Sequence, residues 1–422
     1  MRLRRDRLLP ASAPPDVRRI VIGRAVRGFA DGFVSVLLAQ YLTGLGFSPV
    51  QVGAIVTGTL LGSAVLTLGF GLSAHRASLR SLLLIATAVM AATGVGFATV
   101  IWFWPLLIIA VVGTLNPSAG DVSVFLPTEQ AFLAGHVSAT ERPRLYAVYN
   151  LGAIFAGAFG ALASGVPEVL ADAQHWNLTA TQRAGFVVYA GAAAVIFLLY
   201  RRLHREPKVD LPPTIEREPR RALHTSRRTV LELAGLFSLD SAGSGLVVTS
   251  LLVLWLHLRF DLSAGTTAAV FFAAGILGGC SQLLAPLLAR RVGLIRTMAF
   301  THLPANALLA LAAFAPNGTV AIALLLVRAL FAQMDVPARQ AFVMTVVPED
   351  ERAAAASVTN VPRSLAAAAT PLLAGVLLAH STFGWPLLIA GFTKVVYDVL
   401  LLVLYREVPE TVGGSRHSGA AR

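Results

Sequence analysis

The sequence predicts an all-α integral membrane protein with twelve transmembrane helices in two pseudo-symmetric six-helix bundles. Three observations predict this fold class: an apolar composition, twelve long apolar segments, and a repeat that relates the two halves of the chain. Of the 422 residues, 56% are hydrophobic and only 13% are charged. A soluble domain carries about 25% charged residues because water must wet its surface. Lipid is therefore the solvent that suits this chain.

The net charge of +12 raises the question of a nucleic-acid partner. The basic residues form short clusters between apolar segments, and no basic stripe alternates with aromatic residues. We interpret them as determinants of membrane orientation and expect no nucleic-acid partner. The single cysteine, Cys280, lies in an apolar segment and is expected to pack between helices.

Twelve segments are long and apolar enough to span a bilayer, which takes about 20 residues. They are residues 18–44, 49–73, 80–101, 104–133, 143–165, 183–201, 229–257, 264–289, 295–314, 318–347, 352–379 and 384–405. The first segment is too long and too charged for the apolar region of a cleavable signal peptide, so we expect it to be retained.

One connection differs from the others, which are mostly short. Residues 201–228 are charged, contain proline and fall at the middle of the chain. We therefore expect an N-terminal six-helix bundle (1–200), a cytoplasmic linker (201–228), and a C-terminal bundle with a short cytoplasmic tail (229–422). Nearly all loop Lys and Arg residues lie in alternate connections and at the termini, which predicts cytoplasmic termini in the cell inner membrane.

The two halves also share sequence. Eight residues recur 210 positions later without a gap: Pro127, Gln130, Ala131, Phe132, Glu141, Arg142, Val148 and Asn150 correspond to Pro337, Gln340, Ala341, Phe342, Glu351, Arg352, Val358 and Asn360. Asp31 has a counterpart in Asp240, shifted by one position. Six spans return the chain to the same side, so the repeat is parallel, as in transporters built from two six-helix halves.

With these features the chain resembles the major facilitator superfamily over nearly its whole length. The family's loop signature between the second and third helices is G-x-x-x-D-R-x-G-R-R, and residues 71–80 read GLSAHRASLR. The glycine and two basic positions match, while His75 replaces the aspartate and Ser78 the second glycine. The resemblance implies that Gly71, His75 and Arg76 stabilise one gating state.

Two other family signatures are only partly present. An arginine and glutamine expected in the fourth helix have a look-alike in the tenth, at Arg328 and Gln333. The fifth helix has a run of glycines (Gly152, Gly157, Gly160 and Gly165) without the proline of the family's antiporter signature. The resemblance also implies that the first, fourth, seventh and tenth helices line the substrate path.

Charged residues deep in these helices are candidates for proton coupling, because an ionisable group near the bilayer centre costs a few kcal/mol on insertion scales. Asp31 lies about 18 Å into its segment at about 1.5 Å per residue. The fourth segment carries another carboxylate, Asp121. Its apolar sequence is interrupted around Asp121 by Asn116, Pro117, Gly120 and Pro127. The proton-coupling candidates are Asp31, Asp121, Asp240 and Asp335. Structural ion pairs that fix helix register remain an alternative role for each.

The arginines and the repeated asparagines are candidates for substrate contact. Arg328 and Arg363 could hold an anionic substrate group or balance the buried carboxylates. The full set of substrate-binding candidates is Arg27, Asn150, Arg328, Asn360 and Arg363. Lys394 and Asp398, four residues apart, are expected to pair with each other. His257, His302 and His380 are expected at the membrane interface.

Glu129 and Arg339 carry opposite charges at positions related by the repeat, in the cytoplasmic halves of the fourth and tenth helices. We expect them to contribute to closure of the cytoplasmic side, directly or through Arg144. The alternative is that each pairs locally with another charge.

These features favour a secondary active transporter that moves a small organic molecule by alternating access, with proton-coupled efflux as the expected mode. Proton-coupled uptake of an organic anion or metabolite is the alternative. The sequence contains no G-x-x-x-x-G-K-[ST] nucleotide-binding motif and no H-E-x-x-H or paired-aspartate metal motif, so neither ATP use nor an enzyme is expected. We expect a monomer without a cofactor, whose partners are its substrate, protons and lipid.

Overall fold

The computed structural model describes residues 14–73, 78–118, 124–137, 141–204, 226–348 and 351–405. These residues form sixteen α-helices and no strand. The helices are α1 (Pro15–Gly44), α2 (Pro49–Ser73), α3 (Leu79–Thr99), α4 (Phe103–Val112), α5 (Phe125–His136), α6 (Arg142–Ala163), α7 (Val166–Gln174), α8 (Leu178–Arg201), α9 (Arg227–Leu246), α10 (Thr249–Phe260), α11 (Ala264–Val292), α12 (Leu294–Ala312), α13 (Gly318–Ala329), α14 (Asp335–Val346), α15 (Arg352–His380) and α16 (Trp385–Leu404). Each of the twelve predicted segments contains at least one of these helices.

Three predicted segments are each divided into two helices. The fourth consists of α4 and α5, the seventh of α9 and α10, and the tenth of α13 and α14. Asn116 and Pro117 lie outside helix, as their sequence predicts. The seventh bends by 41° between its two parts. Irregular backbone of this kind is stable in a membrane protein where it is buried in protein or lines a cavity.

Membrane-spanning character is clear for most of the helices. Among the described residues, seven helices are long and apolar enough to cross a membrane, and the bent pair α9–α10 makes an eighth. Many large apolar side chains lie on the outer surface, including Trp104 (72% exposed) and Phe392 (69% exposed). The chain is an all-α membrane protein.

Close helix packing depends on small residues. In the N-terminal half (described residues 14–204), α1 packs against α6 and α8. A Cβ atom added at Gly32 would lie 2.0 Å from the carbonyl oxygen of Gly157, and one at Gly160 would lie 1.9 Å from that of Phe29. The glycines of the fifth predicted helix therefore serve to bring α6 onto α1.

The termini define the two sides of the bundle. We call the side where α1 begins the terminal side, and the side where it ends the far side. On the terminal side, Asp16 joins α1 to the end of α8: it accepts hydrogen bonds from the His204 backbone N–H (3.0 Å) and from Arg19. Partial burial opposes ionisation of Asp16, but the bonds from His204 and Arg19 outweigh it and hold its pKa below the usual value.

The N-terminal half meets the C-terminal half (described residues 226–405) mainly where α2 packs on α15 and α6 on α11. Near the far side, Gly53 and Gly375 let α2 and α15 approach closely, since a Cβ at Gly53 would lie 3.0 Å from the Gly375 Cα atom. The Thr57 hydroxyl also accepts a hydrogen bond from the Leu372 backbone N–H at 2.9 Å.

Candidate functional site

A buried ion pair joins α1 to α5 in the N-terminal half. The Arg27 guanidinium binds both carboxylate oxygens of Glu129, with an Nη2–Oε2 distance of 2.7 Å. The side chains of Arg27 and Glu129 are 1% and 0% exposed. The Tyr149 and Tyr200 hydroxyls donate further hydrogen bonds to Glu129. We call these four residues the N-terminal network.

A corresponding ion pair in the C-terminal half joins α9 to α14. Arg339 Nη1 lies 3.1 Å from Asp240 Oδ2 and 3.6 Å from Asp335 Oδ2. Lys394 Nζ, from α16, donates to Asp240 Oδ1 at 2.6 Å and to the Ser244 hydroxyl at 2.7 Å. Asp240 is therefore in contact with two cations.

This C-terminal network continues into α12. The Nε2 atom of His302 lies 3.7 Å from Asp240 Oδ1, and its Nδ1 atom lies 2.9 Å from Asp398 Oδ1. The Asn306 amide donates to Asp398 Oδ2 at 2.9 Å. The network thus connects four helices of the C-terminal half. Its members are Asp240, Asp335, Arg339, Ser244, Lys394, His302, Asn306 and Asp398.

The two networks are related by the sequence repeat, with their charges exchanged. Glu129 corresponds to Arg339, 210 residues later, and Asp31 corresponds to Asp240, 209 residues later. The Arg339 guanidinium lies over the Phe237 ring, 5.7 Å from its centroid. Arg27 in turn lies over Phe125, at 4.3 Å, and the repeat partner of Phe125 is Asp335. Each half therefore contains an arginine that binds a carboxylate of another helix and lies over an aromatic ring.

Asp31 lies one helical turn beyond Arg27 in α1 and is 5% exposed. The Asn116 side chain, on the irregular segment after α4, hydrogen-bonds the Asp31 carboxylate, and Arg27 and Arg24 act on it electrostatically. Arg24 also lies over the Tyr149 ring, 5.4 Å from its centroid. Asp31 is therefore a buried carboxylate at a helix break, beside the N-terminal network.

Arg328 has a different environment from the other buried arginines. It lies in the last turn of α13, deep in the protein, yet part of its side chain remains accessible. Its Nε atom is buried without a hydrogen-bond partner, and in the described part of the chain no carboxylate forms an ion pair with it. On neighbouring α11, the Gln282 Oε1 atom is also unpartnered. Arg328 is thus a cation near the break of the tenth segment that has no counter-ion among the residues the structure describes.

Contacts between the halves close the far side beyond these networks. The Ser250 hydroxyl, at the start of α10, donates to the carbonyl oxygens of Ser35 (2.7 Å) and Pro117 (3.0 Å). Glu168 on α7 accepts hydrogen bonds from the backbone N–H groups of Ala264 (3.2 Å) and Gly265 (2.5 Å). A carboxylate at the start of a helix is favoured by its unpaired N–H groups and dipole.

Replacing Glu168 by glutamine should favour opening of the far side, because a neutral amide binds the α11 N-terminus less strongly than a carboxylate does. The change should be measured as faster maleimide labelling of a cysteine introduced at Thr267, which is buried in this conformation, in a background where Cys280 is replaced by serine. Asp172→Asn on the same short helix is the matched control. Equal labelling rates in Glu168→Gln and the control would show that this contact does not hold the far side closed.

Several predicted site residues lie together, but with different partners from those expected. Arg27 is bound to Glu129 and is not available to a substrate in this conformation. Glu129 and Arg339 belong to separate networks, so the direct contact expected between them is not formed here. Their equivalent positions explain the difference: each pairs within its own half. Exchanging the two charges would place a cation at position 129 beside Arg27, and a carboxylate at position 339 beside Asp240 and Asp335.

Other predicted residues are placed individually. Arg363 Nε donates to the Ser241 hydroxyl at 2.9 Å. Asn150 is half-buried on α6, whereas Asn360 and Arg144 are exposed on α15 and α6. Gly71 lies in the last turn of α2. Asp121, His75 and Arg76 fall outside the described residues.

The predictions for α12 and α16 are wrong in two respects. Lys394 pairs with Asp240, and Asp398 with His302 and Asn306, instead of with each other. His302 is buried within the C-terminal half and not at the interface. The spacing of four residues along α16 suggested that Lys394 and Asp398 pair with each other. It could not reveal that polar residues of α9 and α12 pack against α16 and bind these two side chains instead.

The sequence reasoning also missed Tyr149, Tyr200 and Glu168, which gave no motif. A tyrosine in a membrane segment is ordinarily apolar filling or an interfacial anchor, and only the packing of α6 and α8 on α1 brings these hydroxyls to Glu129.

Among the described residues, no group of His, Cys, Asp and Glu is arranged to hold a metal ion.

The structure resembles solved transporters over nearly its whole length. It matches a D-xylose–proton symporter with a TM-score of 0.76, at 16% identity, covering 94% of this chain and 99% of that one. It matches the nucleoside transporter NupG with a TM-score of 0.71, at 14% identity, covering 93% and 99%. A bacterial homologue of the human lysosomal transporter Spinster, in an inward-facing state, gives 0.70 at 14% identity, covering 92% and 95%.

Sequence comparison supports the same assignment. An uncharacterized membrane protein of Saccharomyces cerevisiae is 22% identical over 424 aligned positions, which cover 93% of this chain and 94% of that protein. The family model described as Major Facilitator Superfamily matches residues 20–327 and 305–421. The chain therefore belongs to the Major Facilitator Superfamily, a family of membrane transporters.

Proposed function

We propose that this transporter exports a small organic molecule in exchange for protons, by alternating access between its two halves. The observation that carries the proposal is the location of buried charges on the segments next to helix breaks. Asp31 contacts the break after α4, and Asp240 and Arg339 lie on the segments that adjoin the breaks of the seventh and tenth spans. In a membrane, such charges are retained where they serve ion or substrate movement.

Asp31 is the leading candidate for the coupling carboxylate. It is buried, it is hydrogen-bonded to the neutral Asn116 amide, and Arg27 is already bound by Glu129. A carboxylate in such a place changes its proton affinity when water gains or loses access to it, because burial penalises the charged form. Opening of the irregular segment around Asn116 would provide that change. Asp121, in the same stretch of sequence, remains a second candidate.

The orientation that the loop charges predict completes the proposal. With the termini in the cytoplasm of a cell with an inner membrane, the terminal side is cytoplasmic and the far side faces outward. The contacts of Ser250 and Glu168 then form the outer gate. The protein acts as a monomer of two bundles, residues 1–200 and 229–422, joined by the linker 201–228.

An organic anion is a second substrate candidate, taken up together with protons. Arg328 favours it, because a deep guanidinium with no counter-ion is a ready partner for a carboxylate or phosphate group. A ligand carboxylate there would offset the cost of burying this charge. The direction of transport relative to the proton gradient distinguishes this alternative from export.

Asp31→Asn should abolish concentrative transport while leaving exchange of substrate across the membrane, because asparagine keeps the Asn116 contact but cannot gain or lose a proton. The measurement compares gradient-driven flux with equilibrium exchange in proteoliposomes. Asp261→Asn, an exposed change at the far end of α10, is the control. Flux in Asp31→Asn that still follows the pH gradient would remove Asp31 from the coupling role.

A further inference from the structure

Asp398 is a buried carboxylate without a permanent cation beside it. It is 0% exposed, and its hydrogen-bond partners are the His302 ring and the neutral Asn306 amide. Lys394 lies one helical turn away on α16 but is directed to Asp240 and Ser244. A charge buried without an opposite charge is costly, and a proton shared with the adjacent histidine removes that cost.

The His302 ring is placed to use such a proton. Each ring nitrogen faces a carboxylate oxygen, at 2.9 Å on the Asp398 side and 3.7 Å on the Asp240 side. The Nδ1 atom is within hydrogen-bond distance of Asp398 and also lies 3.0 Å from the Asn306 amide nitrogen. The Nε2 atom is too far from Asp240 for a hydrogen bond but close enough for an electrostatic contact. A proton added to the His302 ring would therefore lie between two carboxylates, each within 4 Å of a ring nitrogen.

Charged residues near His302 come from α9 and α16, and the other helices that pack on α12 carry further charged residues. Asp240 approaches from α9, and Lys394 and Asp398 from α16, where Tyr397 also stands edge-on to the ring at 5.8 Å between centroids. The other charged groups on α12 and its neighbours are Arg290 and Arg291 on α11, Arg296 on α12, Arg328 on α13, and Asp335 and Arg339 on α14. Of these, only Asp335 and Arg339 join the C-terminal network.

We propose that His302 and Asp398 form a proton-binding site in the C-terminal half, separate from the carboxylate at Asp31. The proposal rests on proton-coupled transport and adds a second place where a proton is held. A proton on His302 gives Asp240 a third cation and weakens its hold on Arg339. Because Asp240 and Arg339 join α9 to α14, proton binding between α12 and α16 changes the link between two segments that adjoin helix breaks.

The test follows the His302 imidazole by nitrogen NMR in protein reconstituted into lipid nanodiscs, with histidine labelled and the signal assigned by its loss in His302→Gln. In Asp398→Asn, the proton affinity of His302 should fall at least about tenfold, a shift of one pH unit in its titration midpoint. His257 with Asp261 provides an exposed matched pair, 4.0 Å apart. Asp261→Asn should shift the His257 midpoint far less, because water screens that pair.

A second experiment tests whether proton binding at His302 and Asp398 changes the conformation of the protein. Labelling is measured for a cysteine introduced at Val346, on the terminal side, and divided by the rate for a cysteine at the exposed position of Arg228, so that the pH dependence of the thiol itself cancels. This relative rate should change between pH 8 and pH 6 in otherwise wild-type protein lacking Cys280. Both Asp398→Asn and His302→Gln should remove this dependence. A His302 midpoint that is unchanged in Asp398→Asn, or pH-dependent labelling that survives both variants, would overturn the proposal. Neither measurement uses a substrate, so a failure of proton-driven transport would be seen separately, in the flux assay on Asp31→Asn.

Discussion

Glu129→Gln should strongly destabilise the protein, with a loss of about 3–5 kcal/mol in the free energy of unfolding. The change removes the negative charge that balances Arg27, and the Arg27 side chain is itself buried, at 1% exposed. The Tyr149 and Tyr200 hydroxyls would also lose their shared anionic acceptor. Reversible unfolding of the purified protein in mixed micelles, with and without the substitution, measures the loss.

Two further variants identify the cause. Glu232→Gln removes a carboxylate from an exposed pair with Arg228 and should change stability by less than about 1 kcal/mol. The double variant Glu129→Gln with Arg27→Met should recover much of the loss, because the uncompensated charge is gone. Equal instability in the single and double variants would show that the tyrosine hydrogen bonds, and not the buried charge, account for the effect.

Asp240→Asn should be similarly damaging, because it leaves Lys394 and Arg339 without their shared carboxylate. Arg339 keeps Asp335 at 3.6 Å, whereas Lys394 keeps only the Ser244 hydroxyl. The additional change Lys394→Met should therefore restore stability more effectively than Arg339→Met does. The same unfolding measurement compares the wild type, Asp240→Asn and the two double variants.

Asp261→Asn is the control for Asp240→Asn, since its side chain is 97% exposed and asparagine tolerates the positive φ of 50° found there. Stability of Asp240→Asn equal to that of this control would mean that the C-terminal network contributes little to the fold. Equal recovery from the Lys394 and Arg339 changes would contradict the distinction drawn between the two cations.

Helix positions could be predicted from sequence because a bilayer demands long apolar segments and satisfied backbone groups. The break at Asn116 and Pro117 was visible for the same reason, since both residues disfavour a helix interior. The breaks at Val247 and after Ala329 were not predicted, because neither break contains a proline.

Charged residues could be identified from sequence, but their partners could not. Asp31, Asp240 and Asp335 were selected because charge is costly in lipid. The repeat placed Glu129 and Arg339 at equivalent positions and suggested that they meet. Equivalent positions in two halves lie on opposite sides of the symmetry axis, and burial inside each bundle gives Glu129 and Arg339 separate partners. Interhelical contacts such as His302 with Asp398 need the packing of α12 on α16.

Proton coupling of transport can be measured while the substrate is still unidentified. Proteoliposomes containing the protein are loaded with a small-molecule extract of the producing cells, a pH gradient is imposed, and mass spectrometry follows each compound on both sides. We expect at least one compound to cross the membrane in the direction opposite to that of the protons. This movement should stop when a protonophore is added and in Asp31→Asn. Movement along the proton gradient by an anion would support uptake instead. Compound distributions that are the same with and without the pH gradient would contradict proton coupling.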